Sequence, residues 1–480
     1  MLFNSLLFAV FLPAVIAIYF LLPPRRRWIL LLAASYYFYM CWKVEYILLI
    51  LASTLIDYFA GLKMGALKSK SARRPYLIFS LAANLGLLFA FKYLNFACAS
   101  LEALFSRGNL LYDLPAFDVL LPIGISFYTF QTLSYTIEVY WGRIKPEKHL
   151  GMFALYVAFF PQLVAGPIER PEHLLPQLKK EQVFDYERLR AGLIRILWGF
   201  YKKLVIADRL AVFVDTAFGA PASASPADLL LAAYCFTFQI YCDFSAYTDI
   251  AIGSARIMGY DLTENFNRAY TARSISEFWR RWHISLSTWI RDYLFVPLYI
   301  RWAAADGAAA RAAHTLILMA VFLASGLWHG ANWTFAVWGA YHGLLLVLDA
   351  KIELKSLGDS FAARAFKTLF TFHLVGVGWI LFRAESLRSA WLIIRKILSA
   401  PAALVRGFSF GPVWSEHDFT TVLCALAAME AVYLLAGRED IERSIARRGV
   451  LIRWSFYLAA TWAVLLLGEF TSQEFLYFRF

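Results

Sequence analysis

The stretch SGLWHGANWTFAVWGAYHG, residues 325–343, decides the class of this protein because it is apolar enough for a membrane yet carries imidazoles. His329 and His342 flank Asn332, and glycines are packed around them. Ionisable side chains are costly inside a bilayer, so they usually mark function or a polar cavity. The stretch therefore predicts a membrane protein with a polar site buried inside it.

The composition of the whole chain agrees with that interpretation. Its 480 residues are 60% hydrophobic and only 17% charged, whereas soluble domains have about 45–50% apolar and about 25% charged residues. A spanning helix needs about 20 mostly apolar residues, and the apolar runs predict an all-α polytopic membrane protein with roughly 11–13 membrane segments. We find no soluble domain, linker or repeat, so residues 1–480 are expected to form a single integral-membrane domain.

The net charge of +12 has a simple explanation in a membrane protein. Short cytoplasmic loops carry an excess of Lys and Arg. The basic stretches fit that rule, and they are PPRRRW (23–28), KMGALKSKSARR (63–74), WGRIKPEKHL (141–150) and LKKEQVFDYERLR (178–190). The charge therefore indicates membrane topology and excludes a nucleic-acid partner.

Metal and disulfide chemistry are not indicated by the cysteines. All five are scattered in or beside apolar runs without metal-ligand spacing. The HExxH, GxSxG and phosphate-loop motifs are also absent. We expect no metal site and no disulfide framework.

One stretch, FFPQLVAGPIERPEHLLP (159–176), does not match a plain spanning helix, because prolines and a glycine interrupt it after an apolar run. Irregular backbone at membrane depth survives only where it is buried in protein or lines a cavity. The stretch predicts a re-entrant segment.

The richest constellation of charged and aromatic residues is SISEFWRRWHISLSTWIRDYLFVPLYI, residues 274–300. Ser274 followed by Glu277 is typical of a helix start. An aromatic and aliphatic stripe then recurs every three or four residues, which predicts an amphipathic helix at the cytoplasmic interface. The simplest interpretation of that stripe is that it anchors the helix in the membrane interface. Arg280, Arg281 and His283 also form a basic cluster that could bind an anionic phosphate group.

The imidazole of His329 is the best candidate for general-base chemistry, because its ordinary pKa lies near neutrality. Asn332 lies three residues on, on the same side if the segment is helical, and could orient the ring or bind an oxyanion. Against this, a lone histidine in an apolar stretch is more often a structural residue, and His342 could equally bond a backbone carbonyl.

Three carboxylates, Glu138, Asp243 and Asp249, fall within other apolar helices. They could form a proton or ion relay, as in a proton-coupled transporter, or pair with Lys and Arg of other helices. A transporter is expected to show two related halves with paired broken helices. We find no such repeat.

The run EFWRRWHISLSTWIRDYLFVPL (277–298), followed by GLWHGANWTFAVWGAYHG (326–343), closely resembles the membrane-bound O-acyltransferase family, nearest its bacterial polysaccharide O-acetyltransferase branch of the alginate type. The similarity extends from residue 1 to about 390. Further matching stretches are LPIGISFYTFQ (121–131), FPQLVAGPIER (160–170), YCDFSAYTDIAIG (241–253), ENFNRAY (264–270), GWILFRAE (378–385) and the ending FLYFRF (475–480).

This resemblance implies a ring of tilted helices forming a funnel around a central channel. The family's catalytic histidine falls on His329, and its second polar position falls on His283. Members take an acyl group from a cytoplasmic thioester and pass it to a hydroxyl. By resemblance, His329 acts as general base, an acyl-histidine is the less favoured variant, and a donor such as Asn332 or His283 stabilises the oxyanion.

The resemblance also implies substrate contacts and partners. Arg280 and Arg281 would face the phosphates of acetyl-CoA, the expected donor, with Trp328 and Asp292 also at the substrate site and no cofactor permanently bound. The expected setting is the bacterial inner (cytoplasmic) membrane, in contact with membrane lipid, where the multi-pass protein works with a periplasmic SGNH-type acetyltransferase on an exported polysaccharide.

Two departures from the alginate type leave the acceptor open. VPLYIRWAAADGAAARAAH (296–314) replaces a basic loop, and Ser325 stands where glycine is usual. Alginate-, cellulose- and peptidoglycan-type acceptors therefore all remain. The alternatives are D-alanine transfer to teichoic acid from a carrier-protein thioester, or the proton-coupled transporter considered above.

Overall fold

A computed structural model describes residues 1–107, 122–164, 166–302, 307–351, 358–399, 415–437, 440–470 and 474–478. These residues are mostly helical and contain no β-strand. Seven of their helices are long and apolar enough to cross a membrane, namely Val44–Ala66, Lys70–Ser106, Pro226–Ile257, Ala309–His329, Phe361–Arg383, Glu416–Ala436 and Val450–Leu467. The prediction of an all-α multi-pass membrane protein is confirmed, and the other predicted segments fall on shorter or more polar helices.

The chain divides into two compact units, of which the first comprises Met1–Leu193 and Ile250–Thr263. Its helices are α1 (Leu6–Leu21), α2 (Pro24–Met40), α3 (Ile47–Ala66), α4 (Lys70–Leu88), α5 (Leu94–Arg107), α6 (Ile125–Trp141), α7 (Leu150–Ala158), α8 (Phe160–Leu163), α9 (Pro171–Lys179) and the first part of α10 (Tyr186–Phe200).

A buried polar network joins three helices of the first unit. The Asp57 carboxylate of α3 accepts hydrogen bonds from the Ser80 hydroxyl (2.5 Å) and the Asn84 amide (3.0 Å) of α4. Ser80 also lies 3.2 Å from the Thr136 hydroxyl of α6. Such contacts between membrane helices add a modest but specific stabilisation, and they set the register of α3, α4 and α6.

The stretch 159–176 is broken in the way that its prolines predict. Helix α7 ends at Ala158, α8 is a single turn, and α9 begins at Pro171. Phe159 and Phe160 are fully buried. The irregular backbone is therefore enclosed by protein, as such backbone must be at membrane depth.

The second unit comprises Ile194–Asp249 and Glu264–Phe480, and it holds the histidines singled out above. Its remaining helices are α11 (Asp208–Gly219), α12 (Pro226–Ile257, of which the part up to Asp249 belongs to this unit), α13 (Ile275–Arg281), α14 (Ile284–Ile290), α15 (Val296–Trp302), α16 (Gly307–His329), α17 (Trp333–Lys351), α18 (Phe361–Arg383), α19 (Leu387–Ser399), α20 (Glu416–Ala436), α21 (Ile441–Ala446) and α22 (Val450–Leu467). π-Helical turns occur at Tyr201–Ala207 and Arg291–Phe295.

The single-domain organisation of residues 1–480 stays a prediction, as do the funnel and its central channel.

Candidate active site

His329 is the last residue of α16 and lies in an aromatic enclosure. Its side chain is buried, and the ring centroids of Trp328, Trp338 and Phe382 lie 4.9, 5.0 and 5.3 Å from its own. Every one of these contacts is tilted or edge-on. The enclosure excludes water, which strengthens electrostatic interactions with the imidazole.

Two glycines set the position of His329 by letting α16 and α17 cross at backbone distance. A Cβ on Gly326 would overlap the carbonyl oxygen of Phe335 and lie 3.0 Å from the Cα of Gly339. A Cβ on Gly339 would overlap the carbonyl oxygen of Phe322. Neither position therefore accepts a side chain without moving one helix, and the glycines around the histidine serve helix packing.

Asn332 does not share a helix with His329, so the condition under which it was expected on the same side is not met. The helix ends at His329, and Asn332 precedes α17, where its Oδ1 accepts the Thr334 N–H at 3.0 Å. Its Nδ2 donates to the carbonyl oxygen of Glu385 at 3.0 Å. Both ends of the amide are therefore engaged in holding the turn after His329, and the catalytic role of Asn332 stays a prediction.

The predicted amphipathic helix over 274–300 is not continuous. Ser274 caps α13 as expected, accepting the Glu277 N–H at 3.2 Å, but the helix stops at Arg281 and restarts as α14. Between them His283 adopts a left-handed backbone with φ 44°. Non-glycine residues rarely do so, and they persist there only where the surroundings enforce it. The break turns His283 inward, where it is fully buried.

Asn265, which was not among the residues predicted from the sequence, enforces this conformation. Its backbone oxygen accepts the Ile284 N–H at 2.9 Å. Its side-chain Oδ1 accepts the backbone N–H (3.1 Å) and the hydroxyl (3.0 Å) of Ser285 and lies 3.1 Å from His283 Nδ1. The only signal for this role was its place in the matching stretch ENFNRAY.

The same contact assigns the proton of His283. The backbone N–H of Ser285 can only donate, so the Asn265 atom facing it is oxygen. Nδ1 of His283 must then carry the hydrogen, which leaves Nε2 as an acceptor. Burial lowers the pKa of His283 to about 3, so the ring is neutral near pH 7. A ring held in this state does not suit the oxyanion-donor role predicted for His283.

Two aromatic rings lie against both histidines. The Trp328 ring is 4.9 Å from His329 and 6.2 Å from His283, so the structure brings this predicted substrate residue into the site. The Tyr477 ring is 5.6 Å from His329 and 6.5 Å from His283. His329, His283 and Trp328 thus belong to one cluster, and the roles expected of them stay predictions.

Two buried donors beside His329 have no hydrogen bond to another described residue. They are the indole N–H of Trp338 and the hydroxyl of Tyr477. Neither was singled out from the sequence, although Tyr477 lies in the ending FLYFRF that resembles the family. An unpaired buried donor is costly, so these two groups are the site's candidates for binding a developing negative charge.

The predicted basic cluster is dispersed. Arg280 is exposed, and the guanidinium of Arg281 pairs with the Glu277 carboxylate and donates to the Thr271 hydroxyl at 2.8 Å. Asp292 lies in the π-helical turn after α14 and pairs with Arg291 at 2.7 Å. The substrate-binding roles of Arg280, Arg281 and Asp292 stay predictions.

A cavity of about 660 Å³ opens beside this cluster within the second unit. Its wall includes Ile284, the residue after His283, and Phe266, whose ring is 5.0 Å from Phe244. Phe244 in turn lies 4.6 Å from His283. The cavity is therefore separated from His283 by one aromatic layer.

The charges of the cavity wall are balanced. Its basic residues are Arg195, Lys202, Arg268 and Arg281, and its acidic residues are Asp249, Glu264, Asp440 and Glu442. The Arg195 guanidinium pairs with Asp249 at 3.0 Å, Glu442 at 3.2 Å and also Glu264. A wall with paired charges offers many hydrogen-bonding groups but no net attraction for an anion.

The three intramembrane carboxylates are paired with basic side chains, as expected if they do not form a proton or ion relay. Asp249 lies 2.7 Å from Lys202 Nζ, Asp243 lies 2.7 Å from Lys203 Nζ, and Glu138 lies 3.2 Å from Arg143. Paired carboxylates of this kind are a structural feature of the two units and need no transported ion.

His342 packs against Trp338, whose ring centroid lies 4.9 Å from that of His342 and 5.0 Å from that of His329. It is fully buried among Trp279, Trp338 and Tyr341, and neither ring nitrogen has a hydrogen bond to another described residue. The backbone carbonyl expected as its partner is therefore not within bonding distance there.

In the part of the chain that the structure describes, no group of three or more His, Cys, Asp or Glu side chains is placed to hold a metal ion.

Comparison with known proteins places this site in a family. Residues 147–352, which include both His283 and His329, match the membrane-bound O-acyltransferase family. A "probable alginate O-acetylase" of Azotobacter vinelandii is 41% identical over 421 residues, which cover 87% of this chain and 80% of the relative.

Two further relatives act on other polymers according to their names. The peptidoglycan O-acetyltransferase of Helicobacter pylori is 33% identical over 74% of this chain and 71% of the relative. The teichoic acid D-alanyltransferase of Bacillus subtilis is 28% identical over 56% of this chain and 71% of the relative. With two buried histidines in a shared aromatic cluster and this level of identity, the chain belongs to the membrane-bound O-acyltransferase family and is an acyltransferase.

Proposed function

We propose that this protein moves an acetyl group from a thioester donor on the cytoplasmic side of the inner membrane towards the O-acetylation of an exported polysaccharide. The observation that carries the proposal is the enclosure of His329, which lies at a helix end beside two buried donors, Trp338 and Tyr477, that have no hydrogen bond to another described residue. The relatives that support acetyl over other acyl groups are those named for alginate and peptidoglycan O-acetylation.

The proposed chemistry assigns one role to each group. His329 takes the proton of the acceptor hydroxyl, whose oxygen attacks the thioester carbonyl carbon. The carbonyl oxygen becomes an oxyanion that accepts hydrogen bonds from the Trp338 indole and the Tyr477 hydroxyl. When the carbon–sulfur bond breaks, the imidazolium returns its proton to the sulfur. An acyl-histidine intermediate is the less favoured variant.

The donor arm of the thioester is proposed to enter through the 660 Å³ cavity. Its paired charges suit the amides of a pantetheine arm better than phosphates, because the wall carries hydrogen-bonding groups without net positive charge. The exposed Arg280 is left to meet the phosphates of acetyl-CoA. In this proposal a periplasmic SGNH-type acetyltransferase completes transfer to the polysaccharide.

The proposal predicts that purified protein in liposomes releases free thiol from acetyl-CoA. Because water can replace the missing acceptor, release is expected to be slow alone and faster when a soluble polysaccharide hydroxyl is added. Free thiol is followed by a colorimetric reagent, with protein-free liposomes as the control. The same assay with an acetylated carrier protein distinguishes the two thioester sources.

Each outcome of this assay decides between the candidates. Release from acetyl-CoA supports the proposed donor, and release from the carrier protein alone replaces it with a carrier-protein donor. Release from a D-alanylated carrier protein, with acetyl thioesters inert, favours the D-alanyl alternative. No cleavage of any thioester contradicts the proposed function.

A second prediction concerns the pH dependence of the reaction. Since the pKa of His283 lies near 3, its ring is already neutral at pH 5 and stays neutral at higher pH. The His283→Asn variant keeps a residue that tolerates the left-handed backbone. We expect the variant to lower the rate about tenfold, which corresponds to the loss of roughly one hydrogen bond. The factor should be the same at every pH from 5 to 9.

The measurement is kcat against pH for both proteins. The acid limb of the wild-type profile reports protonation of the general base and should persist in His283→Asn. If that limb disappears in the variant, His283 is the titrating base and the general-base role belongs to His283 instead of His329.

A further inference from the structure

The turn Leu476–Phe478 delivers Tyr477 to the two histidines from a distant part of the sequence. Phe475 is fully buried before it, stacks on Tyr247 with ring centroids 4.3 Å apart, and lies 5.6 Å from Phe244. Ring contacts of this kind attract the segment but define its register weakly, because stacked rings can slide at little cost. A directional contact is needed to fix where the Tyr477 hydroxyl stands.

Asp243 supplies that contact. Its Oδ2 accepts the backbone N–H of Leu476 at 2.7 Å, and its Oδ1 accepts Lys203 Nζ at 2.7 Å. Lys203 also pairs with Asp208 Oδ1 at 2.7 Å. All three ionisable side chains are buried. In such surroundings a charged acceptor bonded to a backbone N–H is strong and directional.

We propose that Asp243 is a positioning residue that holds the Leu476–Phe478 turn against the site, and thereby places the Tyr477 hydroxyl beside His329. The expected effect of Asp243 on the reaction rate rests on the proposed function of the site. Its expected effect on the position of the Leu476–Phe478 turn does not. Lys203 orients the carboxylate by donating to its Oδ1, and the neighbouring Leu204 carbonyl adds a second anchor by accepting the Glu469 N–H at 2.9 Å.

Two isosteric substitutions separate this role from the general need for a buried ion pair. In Asp243→Asn the side chain keeps one acceptor oxygen, while two donors, Lys203 and the Leu476 N–H, still face it. Because the charged lysine binds the remaining oxygen, the amide nitrogen of the new side chain faces the Leu476 N–H. Both groups are donors, so the hydrogen bond to Leu476 is lost. In Asp208→Asn, by contrast, the oxygen stays on Lys203, because the other carboxylate oxygen of Asp208 has no hydrogen bond to a described residue.

Hydrogen exchange measures the segment directly, in the full-length protein in detergent micelles. The amide of Leu476 should be protected in wild type and in Asp208→Asn, and should exchange at least about tenfold faster in Asp243→Asn. The rate of thioester cleavage should fall about 10- to 100-fold in Asp243→Asn alone, in kcat with KM for the donor unchanged, since a displacement near 1 Å can cost 10²-fold.

The outcomes are distinct. Equal exchange and equal activity loss in the two variants would show that the cluster only stabilises the fold, which overturns the proposal. Faster exchange in Asp243→Asn without loss of rate overturns the functional part and leaves the anchor. If wild type cleaves no thioester, the proposed function fails, while the exchange result still decides the anchor.

A third variant keeps the test decisive if Asp243→Asn does not fold. Leu476→Pro removes the N–H itself and leaves the buried charges intact, and proline is tolerated at the first residue of a helical turn. In that case exchange is followed at the Tyr477 amide. We expect Tyr477 exchange and kcat to change as for Asp243→Asn; a variant with wild-type exchange and kcat contradicts the proposal.

Discussion

Replacing His329 by alanine should lower the rate of thioester cleavage by about 10²- to 10⁴-fold, the usual contribution of a general base. In the proposed mechanism no other group is placed to take the hydroxyl proton, because the His283 ring has a pKa near 3 and is a poor base. KM for the donor should change little, since the imidazole acts on the transition state and the aromatic enclosure remains. Release of free thiol by equal amounts of folded protein is the measurement.

The matched control is His342→Leu, which removes a second buried histidine from the helix after His329. Neither ring nitrogen of His342 has a hydrogen bond to another described residue, so an apolar side chain of similar bulk should be accepted. We expect activity within a few-fold of wild type. If His329→Ala and His342→Leu are equally active, His329 is a structural histidine and the mechanism is wrong.

Replacing Gly326 by alanine should reduce activity by about 10²-fold although the added methyl group touches no substrate. The new Cβ would overlap the Phe335 carbonyl oxygen and crowd Gly339, so α16 and α17 must move apart. His329 follows Gly326 on α16 by three residues and moves with it. Overpacking of this kind typically destabilises by about 1–3 kcal/mol, so the melting temperature in detergent should fall as well.

Gly376→Ala is the control for an added methyl in a membrane helix. It lies inside α18, where the nearest atom to the new Cβ is the Thr237 hydroxyl oxygen at 3.8 Å, an ordinary contact distance. Because alanine favours helix over glycine, its melting temperature should match or exceed that of wild type, with unchanged kcat. Equal behaviour of the two variants would mean that the α16–α17 crossing does not position the site.

Local sequence determined much of this protein. Long apolar runs forced helices because a bilayer leaves no other way to satisfy the backbone, and seven such helices are present in the described ranges. The start of α13 at Ser274 follows from its side chain and immediate neighbours. His329 could be singled out because an imidazole in an apolar run is rare, and its importance was strengthened by resemblance to the family.

The rest depended on contacts between residues far apart in the chain, which no local pattern encodes. Periodicity predicted one helix over 274–300, but Asn265 provides three acceptor contacts that outweigh the helical preference and turn His283 inward. Asn332 was expected on the same side as His329 if the segment were helical, but α16 ends at His329 and Asn332 instead accepts the Thr334 N–H before α17.

Tyr477 lies at the site beside a contact that no local pattern encodes, because Asp243 accepts a hydrogen bond from the residue before it, 233 positions along the chain. The sequence thus predicted which side chains have the chemistry for the site. The directions in which these side chains face were decided by hydrogen bonds that exist only once the helices have packed.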